Sequence, residues 1–235
     1  MKLTTALSAV NNNPEYYKFI PKQIIFWKHF NINFIAIFIG EKLPDDLKEY
    51  SDNIIIWSKN LDLHTAYISQ IIRIYYPAIL NLPDDELVII TDIDMLPINS
   101  DYFKNGLEEY TINDFIYYRE INCKMIYMCY NAAHPTTWSR IFKIESENDI
   151  EKYIYSNYNK HYNGIPGKAG WFTDQQVLYN NLINYPNLKV LNRPIRRLEM
   201  NKCKKYLNNK NNTFIHKYDD VHFHRSYLKN NIYIY

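Results

Sequence analysis

The sequence predicts an α/β fold in which a central, mostly parallel mixed sheet is flanked by helices. In the first hundred residues, short apolar runs alternate with segments of helical periodicity, an order typical of parallel sheets covered on both faces. The apolar runs are continuous rather than alternating, as expected for strands buried on both sides. We expect residues 1–235 to form one domain, with a half of nucleotide-binding type at 1–97 and a second half at 98–235.

The elements of the first half follow from apolar pattern and end signals. Strands are predicted at 3–10, 34–39, 54–57 and 87–90. Asn13 and Pro14 have the features of an N-cap and a first helical residue, so a helix is expected from there to about residue 30. Further helices are expected at 44–50 and at 65–76, the latter ended by Pro77.

The second half has a less regular pattern. Strands are predicted at 115–118, 125–130, 188–191, 214–216 and 221–223, and helices at 136–142, 149–158 and 174–182. We find no internal repeat and no linker that would divide the chain into independent domains.

Composition excludes several classes of protein. The chain has 5 glycines, where average usage would give about 16, and contains no glycine-rich phosphate-binding motif. A net charge of +2 argues against a strongly basic nucleic-acid binder. Cys123, Cys129 and Cys203 lack disulfide or metal-site spacing and fit reduced thiols. With no predicted membrane span or signal peptide, we expect a cytoplasmic protein.

Two aspartates directly follow the strand at 87–90. In extended chain Asp92 and Asp94 would point to the same side, at the carboxyl edge where open α/β sheets bind ligands. Two hard oxygen donors there suit Mn²⁺ or Mg²⁺ bound alongside phosphate oxygens. The alternative is an ordinary polar turn after a strand.

The segment LVIITDIDMLPI at 87–98 resembles the D-x-D segment of GT-A-fold glycosyltransferases that use nucleotide sugars. The preceding ISQIIRIYYPAIL at 68–80 is similar to the helix before that segment, and small single-domain transferases of large DNA viruses are the most similar in character. The resemblance is specific only over about 65–97, 171–178 and 220–227. It implies a GT-A-like domain whose second half forms a smaller acceptor-side subregion.

This resemblance implies roles for individual residues. Asp94 would bind Mn²⁺ or Mg²⁺, and Asp92 would contact the metal, the ribose or the donor sugar. The donor would be a UDP- or TDP-sugar and the acceptor a glycan, with no nucleic-acid partner. The ends of the first and third strands would hold base and ribose. The remaining donor-binding residues expected are Ser8, Asn11, Trp57, Arg73 and Ile93.

Arg73 would face the donor phosphate or sugar, because a guanidinium offers a fixed fork of donors for such oxygens; it could equally be a surface arginine or a salt-bridging one. Thr173 and Gln176 have the spacing of a capping box, so Asp174 could merely favour the helix dipole. The resemblance instead makes Asp174 the catalytic base of an inverting enzyme, or makes Asp174 or Gln175 the stabiliser of positive charge in a retaining one.

A late histidine completes the metal site in the family, and His222 and His224 alternate along a predicted strand. His222 is our first choice for the ligand; the alternative is a pair of surface histidines. The basic stretch at 193–210 could attract a phosphate-bearing donor or acceptor or touch nucleic acid, but we interpret it as a solvated face. Gly164, Gly167 and Gly170 precede Trp171, and we expect this loop to become ordered over the donor.

Two other functions remain open on sequence alone. Phosphatases with an aspartate nucleophile also carry D-x-D after a strand, but commonly near the N-terminus and with Thr or Val where this chain has Leu96. The other is a nucleotide- or glycan-binding module without activity. Retention of Asp92, Asp94, Asp174 and His222 weighs against such a module.

Overall fold

The computed structural model describes residues 1–121, 124–200 and 217–223. Its strands are β1 (Lys2–Asn11), β2 (Asn33–Ile39), β3 (Ile54–Trp57), β4 (Glu86–Ile90), β5 (Met95–Pro97), β6 (Phe115–Tyr117), β7 (Asn131–Ala133), β8 (Leu188–Val190), β9 (Arg197–Glu199) and β10 (Asp220–His222). Its α-helices are α1 (Pro14–Tyr17), α2 (Ile20–His29), α3 (Thr65–Tyr75), α4 (Ser100–Lys104), α5 (Pro135–Phe142), α6 (Glu147–Ser156) and α7 (Thr173–Leu182). Short 3-10 helices cover Asp45–Asn53, Tyr76–Ile79 and Leu107–Glu109.

Within the described ranges, the strands form a seven-stranded sheet in the order β3-β2-β1-β4-β7-β6-β8 and a three-stranded sheet in the order β5-β10-β9. In the large sheet the pairs β1–β2, β2–β3, β1–β4 and β6–β8 are parallel, whereas β7 runs antiparallel to β4 and β6. The predicted α/β class, with a mostly parallel mixed sheet, is confirmed.

Successive side chains of the central strands point to opposite faces of the large sheet, and an apolar core lies on each face. In β4, Leu87 and Ile89 join the core that contains Trp27 of α2. Val88 and Ile90 join the core that contains α3. Both faces are thus covered by helices, and the carboxyl ends of β1 and β4 remain open at one edge.

The helix predicted from residue 14 to about 30 is wrong as a single element, because the chain forms α1 and α2 instead. Pro21 lies in the first turn of α2, where its missing N–H costs nothing. In a continuous helix the same ring would clash with the carbonyl of Tyr17, so the chain restarts at Ile20.

Other differences concern short elements. The helix expected at 44–50 is a 3-10 helix, Asp45–Asn53. The strand expected at 125–130 is displaced to β7, where the chain pairs with β4 and β6. The strand expected at 214–216 lies outside the described residues. Of the helices in the described ranges, none combines the length and apolarity that crossing a bilayer requires.

Candidate active site

A cavity of about 1010 Å³ opens at the carboxyl edge of β1 and β4. Its wall includes Asn11 at the end of β1, the first turns of α3, the turn after β4, the loop before α7, and His222 on β10. This is the position at which open α/β sheets bind ligands. The three segments that carry the sequence motifs therefore meet in one cavity.

Asp92 and Asp94 lie in a tight turn between β4 and β5, and the extended arrangement expected from the sequence is wrong. The Met95 amide donates to the Asp92 carbonyl at 3.2 Å, which closes the turn. The chain turns here because β5 leaves the large sheet to pair with β10. Both aspartates nevertheless line the cavity, as does Ile93 between them.

Gln23 on α2 holds this turn in place through hydrogen bonds. This residue was not predicted from the sequence. Its side chain is fully buried, and its Nε2 donates to the carbonyls of Ile93 and Met95, each at 2.8 Å. Its Oε1 accepts from Nε1 of Trp27 at 2.9 Å. An amide is suited to this position because it donates twice and also accepts. Gln23 thus acts as a positioning residue for the aspartate turn.

Arg73 joins two of the predicted site carboxylates. Its Nη1 contacts Oδ1 of Asp92, and its Nη2 donates to Oδ2 of Asp174 at 3.0 Å. Burial alone would lower the pKa of the guanidinium, but the two carboxylates outweigh it and raise that pKa. Of the two alternatives, the surface position is wrong, since Arg73 is only 8% exposed on the cavity side of α3. The salt-bridging alternative is confirmed by the pairs with Asp92 and Asp174.

Asp174 lies in the first turn of α7, but the predicted capping box does not form. Phe172 is the N-cap and makes no side-chain cap, and the Thr173 hydroxyl donates to the Gly170 carbonyl at 2.8 Å. Asp174 Oδ1 accepts from the Gln175 amide at 2.8 Å. Burial raises the pKa of the Asp174 carboxyl to about 6, although Arg73 and the Gln175 amide act in the opposite direction.

His222 faces the second aspartate of the turn. Its Nε2 lies 3.7 Å from Oδ2 of Asp94, and its Nδ1 lies 3.0 Å from Oε2 of Glu199 on β9. Burial alone would lower the pKa of His222, but Asp94 and Glu199 raise it above its ordinary value. The three-stranded sheet creates this contact, since β10 lies between β5 and β9 and pairs His222 with Met95. His224, the alternative, lies outside the described residues.

Asp94 and His222 could both bind a divalent cation, because Mn²⁺ accepts carboxylate oxygen and imidazole nitrogen. Asp92 is turned to Arg73 instead, and over the described ranges no three histidine, cysteine or acidic side chains are gathered tightly enough to hold a metal alone. The chain therefore offers two adjacent donors, and further ligands would come from a bound diphosphate and water.

The remaining predicted donor-binding residues divide into two groups. Asn11 lines the cavity and donates from Nδ2 to Oγ1 of Thr65 at 3.1 Å, and Gln175 also lines it. Ser8 and Trp57 are buried in the fold and are not part of the cavity wall. The structure thus brings the first two to the site and not the other two.

The glycine-rich loop borders the cavity. Gly164, Gly167 and Gly170 all have left-handed φ, between +73° and +78°, which glycine adopts without strain. Gly164 packs against the His64 ring, and a Cβ at this position would lie 2.9 Å from its Nε2. His64 in turn caps α3, accepting at Nδ1 from the Ala66 amide at 3.2 Å.

The basic stretch is not simply a solvated face. Arg193 donates to the carbonyls of Tyr102 and Asn105. Arg197 on β9 lines the cavity, and its Nη2 forms an ion pair with Asp220 at 2.6 Å. The lysines at 202, 204, 205 and 210 lie outside the described residues.

No protein-family model and no curated protein matches this sequence. Several solved structures resemble it, and they are glycosyltransferases. The galactosyltransferase LgtC in complex with donor and acceptor sugar analogues has a TM-score of 0.47 and 12% identity, covering 94% of this chain and 87% of that one. A glycosyltransferase involved in glycosylation of the major capsid of PBCV-1 has a TM-score of 0.46 and 12% identity, covering 95% and 96%.

The apo form of GlyE from Streptococcus pneumoniae TIGR4 has a TM-score of 0.49 and 9% identity, covering 95% of this chain and 55% of that one.

Proposed function

We propose that this protein is a metal-dependent glycosyltransferase that moves a sugar from a nucleoside diphosphate donor, such as a UDP- or TDP-sugar, to a glycan hydroxyl. One observation carries the proposal. Three segments that are far apart in sequence, around Asp94, Asp174 and His222, line a single cavity at the carboxyl edge of the sheet. A cavity of about 1010 Å³ has room for a ligand larger than most drug-sized molecules.

Asp94 and His222 would hold the cation. Their oxygen and nitrogen lie 3.7 Å apart, close enough to share one ion after a small adjustment. A divalent cation there neutralises charge on the diphosphate, and thereby replaces the glycine-rich cradle that this sequence lacks. Asn11 and the first turns of α3 would hold the nucleoside on the other side of the aspartate turn.

The acceptor hydroxyl oxygen forms a bond to the anomeric carbon while the bond from that carbon to the diphosphate oxygen breaks, and the diphosphate leaves with the electron pair. In an inverting reaction Asp174 takes the hydroxyl proton. In a retaining reaction Asp174 or Gln175 stabilises positive charge on the sugar and the proton passes to the leaving diphosphate. The inverting route requires Asp174 near the anomeric carbon, and the retaining route requires Asp174 or Gln175 there. The ion pair with Arg73 would fix the position of the Asp174 carboxylate.

The proposal is tested by incubating the protein with Mn²⁺ and a panel of nucleotide sugars and measuring nucleoside diphosphate release and the change in Tm. We expect slow hydrolysis and a raised Tm with at least one donor, both lost in Asp94→Asn. The exposed Asp84 provides the matched control, and Asp84→Asn should behave as the wild type.

Absence of hydrolysis and of any Tm shift across the whole panel would overturn the proposal. Hydrolysis of p-nitrophenyl phosphate that is abolished by Asp92→Asn would point instead to the aspartate-nucleophile phosphatase. For a donor that supports transfer, NMR of the product shows whether the anomeric configuration is inverted or retained, and this distinguishes the two roles of Asp174.

A further inference from the structure

Arg119 brings an uncompensated positive charge into the cavity wall. It follows β6, and its guanidinium carbon lies 4.4 Å from the centre of the Tyr127 ring. Its Nη1 lies 3.6 Å from Sγ of Cys129. In the part of the chain that the structure describes, no carboxylate lies within ion-pair distance of this guanidinium, in contrast to Arg73 and Arg197.

The neighbours of Arg119 do not neutralise it. Burial raises the pKa of the Cys129 thiol, so the sulfur is uncharged at neutral pH. The Tyr127 ring offers only a cation–π contact, which stabilises a cation without cancelling its charge. A half-buried guanidinium in this state has lost hydration without gaining a counter-ion, so it would favour an anionic ligand.

A second guanidinium, that of Arg197, lies near Arg119. Its Nη2 lies 3.6 Å from the same sulfur, so Nη2 of Arg197 and Nη1 of Arg119 lie no more than twice that distance apart. Asp220 accepts from both Nε and Nη2 of Arg197 and compensates its charge. Asp92 also acts on the Cys129 thiol but is paired with Arg73, so among the described residues the charge of Arg119 is left without an ion-pair partner.

The position of Arg119 separates it from the proposed nucleoside side. In the large sheet β6 lies three strands from β1, which corresponds to roughly 14 Å at the backbone. Asn11 ends β1, and the aspartate turn after β4 lies between the two ends of the cavity. A ligand group that contacts Arg119 therefore lies on the side of the aspartate turn away from Asn11.

We infer that Arg119 and Arg197 form a binding subsite for an acidic group, a carboxylate or a phosphate, on the acceptor glycan. The inference rests on the proposed transfer reaction and names its acceptor class as an acidic sugar. The same chemistry could come from an acid group on the donor sugar, so the experiment includes both sources. Arg119 is a specificity-determining residue in this arrangement, because it supplies the unpaired charge.

The test measures binding with UDP and Mn²⁺ held at saturation, by isothermal titration calorimetry. The probes are methyl glucuronide against methyl glucoside, and glucose 6-phosphate against glucose. We expect the acidic member of each pair to bind about fivefold more tightly at low salt, with a smaller difference at high salt. The difference should vanish in Arg119→Gln and persist in part in Arg119→Lys, which keeps the charge.

Arg140 is the matched control, since it is exposed on α5 and bonds to Oδ1 of Asn113, so Arg140→Gln should keep the wild-type difference. Equal binding of acidic and neutral probes to the wild type would overturn the inference. A charge preference seen only between UDP-glucuronate and UDP-glucose would overturn it in favour of the donor sugar. Weaker UDP binding in Arg119→Gln would overturn it in favour of the diphosphate.

These outcomes are separable from failure of the proposed function. If the wild type binds no nucleoside diphosphate, the transferase proposal itself fails. If it binds UDP normally and Arg119→Gln retains that affinity, the variant is folded, and only the charge preference decides the acceptor class.

Discussion

Nη2 of Arg73 and Oδ2 of Asp174 form a buried ion pair at 3.0 Å, although 101 residues separate them in the sequence. Arg73 lies on α3, which precedes β4 in the sequence, and Asp174 lies on α7, which precedes β8. The pair links these two helices in the cavity wall. Because both side chains are largely removed from water, loss of Arg73 would leave the Asp174 carboxylate as a buried charge without its partner, whereas loss of Asp174 would leave Arg73 paired with Asp92 alone.

Asp174 gives the protein a pH signature. The carboxyl has an ordinary pKa of 3.8 and a folded pKa of about 6, so between these values the folded chain keeps a proton that the unfolded chain has lost. The contribution of this group to the free energy of unfolding is therefore largest at low pH and falls as pH rises towards 6, by about 3 kcal/mol in total.

Urea unfolding of the wild type and of Asp174→Asn between pH 4 and pH 7 checks this, since the other titrations are common to both proteins. The difference in the free energy of unfolding, wild type minus variant, should decrease as pH rises. A constant or increasing difference would show that the folded pKa of Asp174 is not raised.

Gln23 should be important to the site although it precedes the aspartate turn by about 70 residues in the sequence. Replacement by Leu removes the donor from two buried carbonyls and the acceptor from Trp27. We expect Gln23→Leu to lower the free energy of unfolding by about 2–4 kcal/mol and to weaken metal-dependent UDP binding. Gln176, exposed on α7, gives the control Gln176→Leu, which should change stability by less than about 0.5 kcal/mol. Unchanged UDP binding in a folded Gln23→Leu protein would argue against a positioning role.

Glu199 should set the affinity of the proposed metal pair. Its carboxylate at 3.0 Å orients the His222 ring so that Nε2 faces Asp94. Loss of such an outer partner typically lowers metal affinity, and we expect Glu199→Ala to raise the Kd for Mn²⁺ about 10- to 100-fold, with Glu199→Gln intermediate. Mn²⁺ titration followed by electron paramagnetic resonance in the presence of UDP measures it. The exposed Glu108 serves as control through Glu108→Ala, and an unaltered Kd in Glu199→Ala would contradict the prediction.

Substitutions at two glycines of the loop distinguish the effect of backbone strain from the effect of contact with His64. Gly167→Ala adds a Cβ in open space, whereas Gly164→Ala adds one 2.9 Å from Nε2 of His64, and both positions have left-handed φ. Each should lose about 1 kcal/mol of stability through strain. Only Gly164→Ala should also displace His64 and weaken UDP binding.

Hydrogen exchange of residues 163–171 with and without UDP-sugar and Mn²⁺ provides the second measurement. We expect slower exchange with ligand in the wild type and in Gly167→Ala, and little protection in Gly164→Ala. Identical exchange with and without ligand in the wild type would disprove ordering of this loop over the donor.

The sequence predicted β1–β4 and α3 well because their apolar periodicity is strong and their ends carry clear signals. The break before α2 was missed, although Pro21 is a signal in the sequence against a continuous helix. By contrast, the strand predicted at 125–130 was displaced, and β5 and β9 were not predicted at all. A three-residue strand has too little pattern to be recognised, and only its partners define it.

The site followed the same division. Asp92 and Asp94 stood out because two carboxylates directly follow an apolar strand, whereas Asp174 and His222 were singled out through the resemblance to GT-A-fold glycosyltransferases. Gln23 gave no such signal, since its partners are carbonyls about 70 residues away. Arg119 also lacked a recognisable sequence pattern, because the absence of a counter-ion among the described residues depends on its three-dimensional surroundings and not on its neighbours in sequence.

The insertion of β10 between β5 and β9 has a consequence for biosynthesis. The aspartate turn is translated before residue 100, but His222 reaches it only when residues 220–222 enter the small sheet. A nascent chain on the ribosome therefore carries the carboxylates without this imidazole while the segment between Asp94 and His222 is added. A product of translation interrupted before residue 220 would contain the aspartate turn but could not form the contact between Asp94 and His222.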